Sequence, residues 1–146
     1  MHAHSFYDHA SDNASDDART PWYDDAMLRL HHVNLSIPVD GEDAEATFLV
    51  DFLNYQRLDL APDTPPTAKW FEGEDGTQIH LSEDPDHHPS SRAHVALELG
   101  DDLSTLRGKF DEAGYEYKVF EGPNGGLMFC QDPAGNRWEL RGNLAG

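Results

Sequence analysis

The chain has 146 residues, 28 acidic against 10 basic, for a formal charge of −18. That length holds one domain, or two small halves around a shared core. The charge would repel a phosphate backbone, which excludes nucleic acid as a partner, and no run approaches the roughly 18 consecutive apolar residues of a membrane-spanning helix.

The N-terminus has neither the basic start nor the apolar core of a secretory signal, so a cytoplasmic location is expected. Residues 1–27, "MHAHSFYDHASDNASDDARTPWYDDAM", have no sustained apolar period and read as a disordered acidic tail. His2, His4 and His9 lie there without pre-organised geometry and read as solvated, while Trp22 and Tyr23 can dock the end of the tail onto the domain that follows.

Regular patterning begins at Leu28. "LRLHHVNLSI" alternates as a strand does, with Val33, Leu35 and Ile37 on one face and His32, Asn34 and Ser36 on the other. His31 either faces the apolar side or lies where the strand begins. "GEDAEATFLVDFLNYQ" has Phe48, Leu49, Phe52 and Leu53 at helical spacing, with Asp40 or Asp43 available as a cap. Short strands are predicted near "RLDL", at "AKWFE" and at "TQIHLSE", the last two joined by the turn "GEDG". "DPDHHPSSR" breaks the pattern as a linker (residues 84–91), with His87 and His88 read as exposed loop histidines.

The order then returns. "AHVALEL" is a strand opening with His94. "DDLSTLRGKFDEAG" is a helix capped by aspartate and stopped by Gly114, with Leu103, Leu106, Phe110 and Ala113 on its apolar side. "YEYKVF", "GLMFCQ" and "NRWELRG" are strands, the last two joined by "DPAGN". Tyr115 and Tyr117 read as packing residues. Cys130, the one cysteine, excludes a disulfide framework and a multi-cysteine zinc site, and reads as a buried thiol.

The chain therefore reads strand, helix, three strands, twice over. Its opening strands match His32 with His94, and its closing strands match His80 with Glu139, at separations of 62 and 59 residues. In each strand the apolar row can cover its own helix while the polar row projects away. Three imidazoles and a carboxylate at equivalent positions point to one divalent metal site, of zinc, nickel, iron, cobalt or manganese.

These segments resemble the vicinal oxygen chelate superfamily, which includes glyoxalases, bleomycin-resistance proteins and extradiol dioxygenases. The carriers are "LHHVNLSI", "GTQIHLSE", "AHVALEL" and "FCQDPAGNRWEL". The resemblance implies an α+β fold of two tandem βαβββ modules forming a cupped mixed sheet, here about 28–83 and 92–142 within a domain of 28–146. It implies metal ligands His32, His80, His94 and Glu139. His80 departs from the pattern, since glyoxalase I-like members usually have glutamate there and epimerase-like members often glutamine. Gln78 is the alternative if that strand slips by two residues.

The resemblance further implies a metal-dependent lyase or isomerase of the glyoxalase type, acting on a small oxygenated molecule bound through two neighbouring oxygens. Glu139 would be a fixed ligand or a catalytic base. Asn34, Gln78, Arg137 and Arg141 share the ligand-bearing faces and are the substrate candidates. Members often pair as homodimers, in some with the two modules of one site coming from different chains. The competing readings are a non-catalytic drug- or metabolite-binding protein, kept alive by Trp70, Phe71 and Trp138, and a ring-cleaving dioxygenase.

Overall fold

The computed structural model describes residues 28–59, 63, 69–123 and 125–144. The expectation of a disordered tail, and of Trp22 and Tyr23 docking, falls outside them. Strand β1 (His32–Ile37) leads into helix α1 (Glu42–Thr47), which continues without a break as a π-helical turn (Phe48–Phe52). Strands β2 (Gln56–Arg57), β3 (Lys69–Glu72) and β4 (Gln78–Glu83) complete the first module. The second is β5 (His94–Gly100), α2 (Asp102–Ala113), β6 (Tyr117–Gly122), β7 (Gly125–Gln131) and β8 (Arg137–Gly142). Both modules are βαβββ units, as expected. Among the described residues no helix is long and apolar enough to cross a membrane.

The strands form two four-stranded mixed sheets, ordered β1-β4-β3-β2 and β5-β8-β7-β6. In each, the first and last strands of the module run parallel and the other pairs antiparallel. The registers coincide between modules. His32 lies opposite Gln78 and Asn34 opposite His80; His94 lies opposite Arg137 and Ala96 opposite Glu139. The sequence repeat is therefore a repeat of register, and His80 occupies the position of Glu139 without a slip towards Gln78.

One core serves both modules. Ile37, Phe71, Ile79 and Leu81 from the first sheet and Met128, Trp138 and Leu140 from the second are buried with Phe48, Leu49, Leu103, Leu106 and Phe110. Rings cross the module boundary: Phe48 to Trp138 at 5.6 Å, Phe52 to Phe110 at 5.1 Å and Phe48 to Tyr115 at 5.7 Å between centroids. The helical segments thus pack between the apolar faces of the two sheets. Each large apolar side chain buried this way contributes about 1.5–3 kcal/mol, so the boundary is a substantial part of the fold. Cys130 is buried, as read from its neighbours, and burial pushes its thiol up to about 12.

Several local expectations needed correction. Neither Asp40 nor Asp43 caps α1: Gly41 holds that position, with its N–H bonded to the Pro38 carbonyl at 3.0 Å. A Cβ at Gly41 would sit 2.9 Å from that oxygen, so the turn from Pro38 excludes other side chains. Asp101 begins α2 but makes no capping bond; its carboxylate accepts from the Asn143 side-chain amide instead. Gly114 does end α2, in the left-handed region at φ +66°. Strand β2 has only two residues and begins before the predicted "RLDL", although Leu58 N–H still reaches the Trp70 carbonyl at 2.9 Å. His88 is an exposed loop histidine, as expected, but His87 is half-buried. It links the modules, with Nδ1 2.9 Å from Ser36 Oγ and Nε2 2.8 Å from the Ala134 carbonyl.

Candidate functional site

Because the apolar row of each sheet faces the shared core, the polar rows are turned away from it. On the first sheet the polar row brings together His32, Asn34, Gln78, His80 and Ser82. On the second it brings together His94, Glu139, Arg137 and Arg141. The four expected ligands thus lie as two pairs. Among the described residues no three His, Cys, Asp or Glu side chains gather closely enough to hold a metal ion.

The second-sheet pair is tightly organised. His94 Nε2 lies 3.1 Å from Glu139 Oε2. The other ring nitrogen, Nδ1, is 2.9 Å from the Arg92 carbonyl. A carbonyl only accepts, so Nδ1 carries a proton and Nε2 is the nitrogen turned towards the carboxylate. Glu139 Oε1 is engaged separately by Arg141 Nη1 at 2.7 Å, and Arg141 Nε reaches Glu98 at 3.8 Å. Arg137 does not join this pair; its guanidinium lies over the Phe129 ring, 4.6 Å from the centroid.

The first-sheet pair is an aromatic cluster. Trp70 lies opposite His80 across β3 and β4. Their rings stack nearly parallel, at 4.3 Å and 6°. His32 meets Trp70 edge to face at 4.8 Å and lies 6.3 Å from the His80 ring. Burial, and then the charge of His32, holds the His80 ring below the usual histidine range. Asn34 Nδ2 is 2.8 Å from His80 Nδ1 and donates to Ser82 Oγ at 2.8 Å. Gln78 Nε2 donates to Glu72 at 3.0 Å. His31 is exposed just before β1, its Nδ1 2.8 Å from His32 Nδ1, which settles its place at the start of the strand rather than on the apolar face.

Phe129, opposite Glu139 on the neighbouring strand, was not singled out from the sequence. The period-two rule would have found it, because Leu127, Phe129 and Gln131 share one face. Phe120 meets Phe129 edge to face at 5.8 Å and is 55% exposed. Two hollows flank this face. One of about 420 Å³ is lined by Glu98, Phe120, Leu127 and Arg141; the other, about 1060 Å³, by Tyr117, Phe129, Gln131 and Arg137 among others. They set apolar wall beside guanidinium.

The family model described as Glyoxalase/Bleomycin resistance protein/Dioxygenase superfamily matches residues 29–140. Solved structures similar in fold include a glyoxalase/dioxygenase from Nostoc punctiforme, 21% identical with a TM-score of 0.67, the match covering 79% of this chain and 90% of that one. Lactoylglutathione lyase from Agrobacterium tumefaciens is 17% identical, with a TM-score of 0.60 and coverage of 78% and 92%. A fosfomycin resistance protein from Listeria monocytogenes is 16% identical, with a TM-score of 0.65 and coverage of 81% and 95%. No curated protein matches the sequence.

Proposed function

The chain belongs to the Glyoxalase/Bleomycin resistance protein/Dioxygenase superfamily, and from that premise we propose that it is a metal-dependent enzyme of the glyoxalase type, a lyase or isomerase whose small oxygenated substrate is chelated to one divalent cation. The observation that carries the reading is the His94–Glu139 pair. Two donors about 2.0–2.1 Å from one cation, at angles of about 90–110°, stand roughly 3 Å apart, and Nε2 and Oε2 stand 3.1 Å apart. That separation accommodates one positive charge between the two atoms, which the ring's own proton fills in the imidazolium and a divalent cation would fill in its place. The Arg92 carbonyl on Nδ1 is the outer support that ligating histidines ordinarily have.

His32 is proposed as the third donor, with His80, the fourth of the expected set, beside it. Since the polar faces turn away from the shared core, the proposed site joins the first module of one copy to the second module of another, and the protein acts as a homodimer. A divalent cation in this set supplies Lewis acidity towards two neighbouring substrate oxygens. Glu139 is proposed as the group that receives the substrate proton, with Arg141 steadying its second oxygen. Gln78 and Arg137, equivalent in register, and Asn34 line the approach to the substrate.

Elemental analysis coupled to metal reconstitution tests the reading. Near one equivalent of zinc, nickel, iron, cobalt or manganese per chain is expected. Turnover is then sought with α-ketoaldehyde–thiol adducts, acyl thioesters, catechols and fosfomycin. Less than about a tenth of an equivalent after supplementation would favour the second reading, a drug- or metabolite-binding protein. The exposed Phe120 and the Phe129 ring on the open face favour that alternative.

A further inference from the structure

The two best-placed histidines hold Nδ1 against opposite kinds of partner, an acceptor for His94 and a donor for His80, and this separates their roles. His94 presents Nδ1 to a backbone carbonyl, an obligate acceptor, so Nδ1 carries a hydrogen and in the neutral ring Nε2 is the lone pair. His80 presents Nδ1 to the Asn34 amide nitrogen, an obligate donor. That NH₂ group has two hydrogens and two partners, His80 Nδ1 and Ser82 Oγ, each at 2.8 Å. Nδ1 must therefore be the unprotonated nitrogen, and in the neutral ring Nε2 carries the hydrogen. A nitrogen bearing a hydrogen cannot ligate a cation. It can donate to an oxygen.

We propose that His80 is a hydrogen-bond donor to a substrate oxygen, acting through Nε2–H, and not a fourth metal ligand. The proposal rests on the metal-dependent reading of the same site. Asn34, fixed by Ser82, sets the tautomer, and the Trp70 ring stacked on His80 fixes its plane. A divalent cation held by His94, Glu139 and His32 would be left with one more position for substrate than a four-ligand set would allow. The substrate class follows: a molecule with an oxygen that gains negative charge during the reaction, bound within reach of a neutral N–H. A fixed neutral donor favours such an oxygen most when the charge has developed.

The tautomer is read first in the metal-free protein. Nitrogen-15 NMR should show His80 Nδ1 as pyridine-like and Nε2 as pyrrole-like, and His94 Nδ1 as protonated. Added zinc should shift His94 and His32 while His80 keeps its Nε2 hydrogen. In elemental analysis, His80→Ala and His80→Gln should retain wild-type zinc, whereas His94→Ala should lose it. With any substrate found in the screen, His80→Gln, which keeps an N–H near the same place, should retain more kcat than His80→Ala. Asn34→Asp supplies the converse, since an aspartate accepts from Nδ1–H and frees the Nε2 lone pair. It should invert the His80 nitrogen signals and tighten zinc binding by about tenfold or more.

A pyrrole-like Nδ1 in the wild type, or loss of zinc from His80→Ala equal to that from His94→Ala, would overturn the assignment. Should the wild type bind no zinc at all, the metal reading fails, while the metal-free spectrum still decides the tautomer. Circular dichroism of each variant separates a lost role from a lost fold.

Discussion

Replacing Glu45 with glutamine is expected to stabilise the protein, and increasingly so as pH rises. Glu45 sits on α1 with 0% exposure, facing the second module across the shared core. Its Oε1 accepts from the Ala134 N–H at 2.7 Å, while Oε2 is buried with no hydrogen-bond partner among the described residues. Burial and then the negative charge of Asp132 push its carboxyl from the ordinary 4.5 up to about 8. Other groups around it are the Tyr115 hydroxyl, bonded to the Gln131 carbonyl, the Cys130 thiol, and His87 on the Ala134 carbonyl.

Between these pH values the unfolded chain has lost the Glu45 proton and the folded chain keeps it. Stability therefore falls with rising pH, by about 1.4 kcal/mol per pH unit, from pH 4.5 to about 8, and is flat above. The interval is about 3.5 pH units, which sets a ceiling of about 5 kcal/mol. Glutamine keeps an acceptor for Ala134 and never ionises. Its advantage over the wild type should grow from under about 1 kcal/mol at pH 5 to about 3 at pH 7 and at most about 5 above pH 8. Urea unfolding from pH 5 to 9 at constant ionic strength measures this, and His87 cancels in the difference because both proteins have it. A difference that stays constant across that range would refute the reasoning.

Mixing His32→Ala with Glu139→Ala chains, by joint unfolding and refolding, should restore about one quarter of wild-type metal content and turnover. Half of the resulting pairs are mixed, and each mixed pair rebuilds one of its two sites; no recovery would place the whole site within one chain. Saturating metal at about 100 times its dissociation constant should stabilise the wild type by about 2.7 kcal/mol. Thermal melts should show that gain kept in His31→Ala and lost in Glu139→Ala, and equal losses would mean the wrong neighbouring histidine was chosen. Trp138 is fully buried, with Nε1 donating to Asp132 at 3.0 Å, so Trp138→Phe should cost about 3 kcal/mol in denaturant unfolding, through a cavity and a buried carboxylate oxygen left short of a donor.

The alternation of Val33, Leu35 and Ile37 with His32, Asn34 and Ser36 was legible because a strand has only two faces, and the second module repeats the choice. That alternation and the repeat carried the topology and the equivalence of His80 with Glu139. Three things lay beyond it. The cap of α1 depends on how closely Gly41 approaches Pro38, which residue preference does not report. The pairing of modules depends on Phe48 and Phe52 reaching Trp138 and Phe110, contacts about 58 to 90 positions apart in the chain. The tautomers depend on the Arg92 carbonyl and the Asn34 amide, one of which is backbone and has no letter in the sequence.

Phe48 and Phe52 belong to the first module but fill space against Trp138 and Phe110 of the second. Neither repeat owns its interior. Cut at the linker, each half would present aromatic surface to water and would be prone to clump, whereas the two fragments produced together could rebuild the native assembly without a peptide bond between them. The repeated pattern in the chain is in this way one folding unit in space.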